Sequence, residues 1–270
     1  MTNQHQVAIV TGASGGIGLA IARSLAATGY RVFGTSRKAG ASGAPGVTML
    51  PCDVTDAASV TTLVQDVMRE AGRIDLLVNN AGGALIAAAE ESSIEQAKAL
   101  FDLNLFGIVR MTNSVLPILR QQGGGRIINI SSVVGFLPSP FAAFYAASKH
   151  AVEGYSQSLD HEVRPFGIRV LLVEPAFTQT EIDGHAVLPD QPLDAYAAAR
   201  QAMQAVWTGG IALGDAPEVV ATAVLAVARA PRPRLRTPAG KAARTLSLLR
   251  RFVPANAFDK SLRKQMQLPA

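Results

Sequence analysis

Tyr145 and Lys149 are the residues whose types and spacing most directly suggest chemistry. Within Tyr145-Ala146-Ala147-Ser148-Lys149 they stand four apart. On a helix that spacing puts both side chains on one face, about one turn from each other. A phenol beside a permanent ammonium has its phenolate favoured, so its pKa falls from about 10 toward working pH. Such a pair would exchange a proton with an alcohol or a ketone. The same spacing also occurs in helices that do no chemistry, so the reading depends on the segments around the pair.

Those segments alternate. Apolar runs over 7–10, 31–35, 47–50, 74–78, 126–130 and 168–173 read as short, largely buried strands. Helical patterns lie between and beyond them, over 16–28, 56–71, 92–120, 142–163 and 215–229. Strands spaced by helices predict a parallel sheet with helices on both faces, joined by right-handed crossovers. At 270 residues, 49% hydrophobic and 17% charged, the chain can bury one large α/β core. It has no uninterrupted apolar run long enough to span a bilayer. The polar start has neither a basic stretch nor an apolar signal core. One cysteine, Cys52, excludes an internal disulfide and supports no Cys-based metal site, so a reducing, cytoplasmic setting is expected.

Thr11-Gly12-Ala13-Ser14-Gly15-Gly16-Ile17-Gly18 follows the first strand and opens the first helix. Gly12, Gly16 and Gly18 permit a tight turn and close approach of backbone to a pyrophosphate. Ser14 and Ile17 share the loop, and the helix N-terminus supplies N–H donors. The second strand runs into Ser36-Arg37-Lys38, where NAD-binding folds usually place a carboxylate for the ribose hydroxyls. No acid stands there. Arg37 and Lys38 would hold a ribose 2′-phosphate by charge-assisted bonds, which favours NADP(H) over NAD(H); the alternative is that they are solvated loop charges. Asp53 and Val54 end the third strand and flank an adenine, unless Asp53 only caps the next helix. Asn79-Asn80-Ala81-Gly82 closes the fourth strand with small residues that let a ring approach the backbone.

In order, Thr11-Gly12-x-x-x-Gly16-Ile17-Gly18, Asn79-Asn80-Ala81-Gly82, Asp102-Leu103-Asn104-Leu105-Phe106-Gly107, Ser131-Ser132 and Tyr145-x-x-x-Lys149 resemble the short-chain dehydrogenase/reductase family. The resemblance covers residues 5–230. It implies an α/β, Rossmann-like doubly wound fold with a seven-stranded, mainly parallel sheet. It also implies reversible hydride transfer between a nicotinamide and an alcohol or ketone. Asn104, Ser132, Tyr145 and Lys149 would then be the catalytic set. Ser132 would hold the substrate oxygen, Tyr145 would exchange its proton, Lys149 would tune Tyr145, and Asn104 would complete a proton relay or merely bend its helix. Cofactor contacts would come from Asn80, Ala81, Gly82, Ser131, Tyr145 and Lys149. The family's Pro-Gly segment falls at Pro175-Ala176, followed by Phe177, Thr178 and Thr180; Ala176 replaces the usual glycine and leaves the loop geometry open.

Ser132, Phe136, Leu137, Phe141, Phe177 and Ile182, with a helical flap over 178–212, predict an apolar substrate cleft suited to a hydrophobic ketone or secondary alcohol. The spacing of Tyr145 and Lys149 disfavours the enoyl-reductase branch, and the chain's length and glycine spacing disfavour the extended epimerases. A non-catalytic NADP(H)-binding regulator or scaffold is the other reading, although Ser132, Tyr145 and Lys149 are all retained. Residues 1–230 are read as the catalytic domain and 231–270 as a basic helical extension, with amphipathic stretches over 246–252 and 258–268. Residues 229–270 hold eleven basic side chains and one acid, a net of +10, whereas the first 228 residues carry −5. The extension either packs on the acidic body or a partner subunit, which is favoured, or meets an anionic membrane surface. Few aromatics and no recognition motif argue against nucleic acid. A homodimer or homotetramer is expected from the family's habit.

Overall fold

The computed structural model describes residues 5–38, 40–41, 43–180 and 187–265. Its seven parallel strands are β1 (Val7–Val10), β2 (Arg31–Ser36), β3 (Val47–Pro51), β4 (Leu76–Asn79), β5 (Gly125–Ile130), β6 (Ile168–Pro175) and β7 (Arg236–Ala239). They run in the order β3-β2-β1-β4-β5-β6-β7. The chain winds outward from β1 to β3, crosses back to β4, and winds outward again. A crevice therefore opens at the strands' carboxyl ends between β1 and β4, where doubly wound sheets bind ligands.

Both sheet faces are covered, which explains the unbroken apolar runs. Ile9, Phe33, Leu77, Ile127 and Val170 point to one face. They pack against α2 (Ala57–Ala71), α4 (Gly107–Gln122) and α5 (Ala143–Val163) through Leu63, Val67, Met111, Val115 and Leu159. Ala8, Val10, Val32, Ile128 and Leu171 alternate to the other face. There they meet Ile21 and Leu25 of α1 (Gly16–Ala27) and Val220 and Val224 of α7 (Pro217–Arg229).

Three elements depart from the sequence expectation. The pattern over 92–120 divides into α3 (Ile94–Phe101), a π-helical turn (Asp102–Phe106) and α4. The seventh strand lies beyond the boundary set at residue 230, so the segment read as a tail begins by completing the sheet. Arg236-Thr237-Pro238-Ala239 hid it: Pro238 lacks a ladder N–H, and a proline is tolerated because β7 is an edge strand. The third departure is the cap of α2, which is Asp56, accepting from Ala58 N at 2.9 Å, and not Asp53. The remaining α-helices among the described residues are α6 (Ala197–Ala212), α8 (Gly240–Phe252) and α9 (Ala255–Gln265).

Candidate active site

Gly12 and Gly16 hold left-handed backbone, with φ of 67° and 49°, which lets the loop after β1 double back into α1. A Cβ on Gly18 would fall 2.1 Å from the Gly12 carbonyl oxygen and 2.5 Å from Asn80 Nδ2. Only glycine allows that approach. No side chain caps α1 at Gly15, so the first-turn N–H groups and the positive helix end remain for an anion. Ser14 is exposed beside them, and Ile17 is half-buried against the core. This cradle fits a pyrophosphate. Asn80 Nδ2 donates to the carbonyls of Thr11 (2.9 Å) and Gly12 (3.3 Å). Thr11 Oγ1 accepts from the backbone N–H groups of Asn80 and Ala81, both at 2.9 Å. The Asn80 side chain therefore braces the loops after β1 and β4 against each other.

At the far end of the crevice, Ser36 Oγ accepts from Lys38 N at 3.2 Å, and Arg37 and Lys38 are exposed. Asp53 Oδ1 accepts from Thr55 N (2.9 Å) and Thr55 Oγ1 (2.7 Å). These bonds hold its carboxyl below the ordinary carboxylate pKa, and the Arg37 charge adds to the effect. Arg37 and Asp53 thus share one electrostatic neighbourhood at the ends of β2 and β3. Val54 is buried and packs on Gly107, forming wall.

Ser132 follows β5, Tyr145 and Lys149 lie on α5, and the π-helical turn brings in Asn104. Such wide turns redirect side chains and recur at functional sites. Asn104 is 1% exposed. Its Oδ1 accepts from Gly83 N at 2.9 Å, and its Nδ2 donates to Gly83 O and to Ser148 Oγ, each at 3.0 Å. Ser148 Oγ donates in turn to the Tyr145 carbonyl at 2.8 Å. Asn104 therefore locks the turn after β4 to the face of α5 that carries Tyr145. A Cβ on Gly82 would lie 3.1 Å from Asn104 Oδ1 and 3.9 Å from Lys149 Nζ, so both groups border Gly82. Lys149 Nζ donates to Ile130 O at 3.0 Å and lies 6.0 Å from the centroid of the Tyr145 ring.

Electrostatics here differs from what the four-residue spacing implies. Burial pushes the Tyr145 hydroxyl up to about 12, opposed by its hydrogen bond with Ser132. Burial pulls Lys149 down to about 8, opposed by the charge of Glu153. As folded, the cost of a desolvated phenolate dominates, and Tyr145 is a neutral phenol at neutral pH while Lys149 keeps its proton. Ser131 Oγ, at the end of β5, is buried with no hydrogen-bond partner and is available to a bound group.

Ser132 Oγ has the Pro175 carbonyl oxygen at 3.4 Å. Among described non-glycine residues only Phe141 has a positive φ (58°), so Ala176 takes the expected glycine's place without strain. Thr180 Cγ2 would meet a Cβ on Gly16 at 3.2 Å and so borders the glycine loop. Thr178 is buried, with Oγ1 donating to Ala176 O at 3.2 Å, and stabilises its own loop.

Phe141 and Phe177 share an apolar cluster with Tyr145, Met203 and Trp207. The Trp207 ring lies edge-on to Tyr145 (centroids 5.9 Å apart) and to Phe177 (5.5 Å). Phe136 and Leu137 instead pack with Ala243 and Leu246 of α8 and Phe258 of α9, in a cluster other than that of Tyr145, with Val134 touching both. Ile182 lies outside the described residues. Sequence reasoning missed Met203, Trp207 and Ile211, although their spacing of four marks one helix face.

Comparison with known proteins follows the same lines. Residues 6–190 match the family model for short chain dehydrogenases. Over 172 residues the chain is 45% identical to a 3-ketodihydrosphingosine reductase of Bacteroides thetaiotaomicron, a match that covers 64% of this chain and 64% of that protein. A short-chain dehydrogenase from Streptomyces avermitilis superposes with a TM-score of 0.83 at 32% identity, covering 99% of this chain and 96% of the other. A short chain dehydrogenase/reductase from Burkholderia phymatum, solved in complex with NAD, does so with a TM-score of 0.80 at 26% identity, covering 100% and 97%.

Proposed function

Because the chain belongs to the short-chain dehydrogenase family of nicotinamide-dependent oxidoreductases, we propose that it interconverts a hydrophobic ketone and its secondary alcohol with NADP(H). One observation carries this reading. Tyr145, with the Ser132 hydroxyl opposing the upward push of burial on its pKa and with Lys149 behind it, sits within an apolar wall of Phe141, Phe177, Met203 and Trp207. When bound, the nicotinamide supplies or accepts the hydride. In reduction, Tyr145 donates its proton to the substrate oxygen on which negative charge develops, and Ser132 hydrogen-bonds the same oxygen. Lys149, protonated below about 8, stabilises the phenolate left behind. Asn104 keeps this face of α5 in register with the turn after β4.

The preference for NADP(H) is supported by exposed Arg37 and Lys38 at the end of β2, a segment without an acid of its own, while the neighbouring Asp53 carboxylate is engaged by Thr55. The Bacteroides relative is named for reduction of a ketone, which supports the substrate class. A homo-oligomer is supported by Ile94 and Phe106, 59% and 50% exposed, which border an apolar groove of about 760 Å³ with Phe101 and Phe144. Monomeric sedimentation at micromolar concentration would remove the oligomer from the proposal.

The reading is tested by a panel of apolar ketones followed by NADPH and NADH absorbance. Turnover with NADPH at least about tenfold above NADH is expected, the worth of one charge-assisted contact. Tight NADPH binding with no turnover of any ketone or alcohol would replace the enzyme with a non-catalytic cofactor-binding protein.

A further inference from the structure

The stripe at the start of the basic extension does not pack as one unit. On α8, Ala243 and Leu246 turn inward onto Val133, Phe136 and Leu137, and Arg250 Nε reaches the Phe136 carbonyl at 3.3 Å. Leu248, Leu249 and Phe252 turn outward and are 59%, 42% and 72% exposed. Leu248 and Phe252 stand one turn apart, so they share a helix face. Lys241, Arg244 and Arg251 are exposed on and beside that face. The Arg251 guanidinium lies 5.5 Å from the Phe252 ring centroid. Across 240–265 there are seven basic side chains against one acid, Asp259, a net of +6.

We propose that the outer face of α8 docks on the headgroup region of an anionic lipid bilayer. An interface of this kind takes apolar side chains into the acyl boundary and basic ones against lipid phosphates and carboxylates, and α8 supplies both within about two turns. A second copy of this chain fits poorly, since a two-fold contact sets the same basic face against itself. A nucleic acid would meet the cations but leave Leu248, Leu249 and Phe252 in water. α8 also roofs the segment after Ser132, so docking sets the catalytic end of the sheet beside a phase in which apolar ketones dissolve. The docking inference does not depend on the catalytic reading, because its readout is binding.

The test uses the whole 270-residue chain and sedimentation with vesicles of phosphatidylcholine, alone or with about 30 mol% phosphatidylserine, at about 0.05 M and about 0.5 M salt. Expected is binding to the anionic vesicles at low salt, loss at high salt, and little affinity for the neutral ones. Arg244→Gln with Arg251→Gln should weaken partitioning by about 30-fold, since each cation near such a surface is worth roughly fivefold. The indole introduced by Phe252→Trp should be quenched by brominated lipid, whereas the native Trp207 is buried and should not. A thermal midpoint equal to wild type checks the fold of each variant, and the wild-type arms stand without them. Absence of binding to anionic vesicles at low salt overturns the proposal. So does undiminished binding by the folded double variant, an unquenched indole in the Phe252→Trp variant, or a cross-link that joins α8 of two copies in solution.

Discussion

Replacing Glu174 by Gln should stabilise this protein above neutral pH. Glu174 lies near the end of β6 and is 1% exposed. Arg236 on β7 is its counter-charge, but the guanidinium directs its hydrogen bond to Glu153 Oε2 at 2.8 Å and approaches Glu174 Oε1 only to 3.4 Å. Glu174 Oε1 and Glu153 Oε1 both lack hydrogen-bond partners. Burial, and then the charge of Glu153, push Glu174 from 4.5 to about 8, and Arg236 opposes them. A carboxyl raised in the fold binds a proton that the unfolded chain has released. Its contribution is complete below the unfolded pKa and is lost as pH rises through about 8. A window of roughly 3.5 pH units caps the linkage at ~5 kcal/mol. The shared guanidinium reduces this, so a loss of about 2 kcal/mol between about pH 5 and about pH 8 is the expected size. Glu174→Gln keeps the shape, leaves the Glu153–Arg236 pair, and removes the titration. Urea unfolding across that range should give a variant matching wild type near pH 5 and exceeding it by about 1–3 kcal/mol near pH 8. A variant less stable than wild type near pH 8 would mean that Glu174 is ionised and paired there, and the reasoning fails.

Other consequences are equally direct. Arg37→Asp should lower the NADPH/NADH ratio of kcat/KM by about 10–100-fold, the worth of a charge-assisted phosphate contact plus a new repulsion; an unchanged ratio would remove Arg37 as the phosphate reader. The kcat/KM of ketone reduction should fall as pH rises through about 8, because the Lys149 ammonium is lost there while Tyr145 stays protonated up to about 12; Lys149→Met should abolish that limb, and a limb that persists belongs to another group. Fully buried Glu91 accepts from Ala88 N and Leu193 N, each at 3.0 Å, and pairs with Arg200 of α6. Glu91→Ala should cost about 3–5 kcal/mol and raise amide hydrogen exchange over 187–200, and unaltered exchange would show that this pair does not anchor the segment.

The sequence was legible wherever burial is two-sided or chemistry is local. β1, residues 76–78 of β4 and residues 170–173 of β6 are unbroken apolar runs because helices cover both faces, and the glycines at 12, 16 and 18 reflect a backbone approach that no other residue permits. The π-helical turn was not legible, since the apolar pattern of α3 and α4 continues through it and it shows only in the backbone, where Gly107 N donates to Asp102 O five residues back. β7 was hidden because an edge strand of Arg, Thr, Pro and Ala has no buried alternation to display. The Tyr145–Lys149 pair could be located, but its protonation could not, because the dryness of Tyr145 comes from Trp207 and Met203, far away in sequence. For the same reason Phe136 and Leu137 read as cleft residues: the helices that cover them lie more than a hundred positions downstream.

Tyr145→Phe is the most direct test of the account, because it keeps the ring that packs on Trp207 and removes only the hydroxyl. NADPH affinity and single-turnover ketone reduction should be measured on the same preparation. The account predicts affinity within about twofold of wild type and a rate lowered by about 10²–10⁴-fold. A rate within about tenfold of wild type, with the fold intact, would contradict the assignment of the proton to Tyr145.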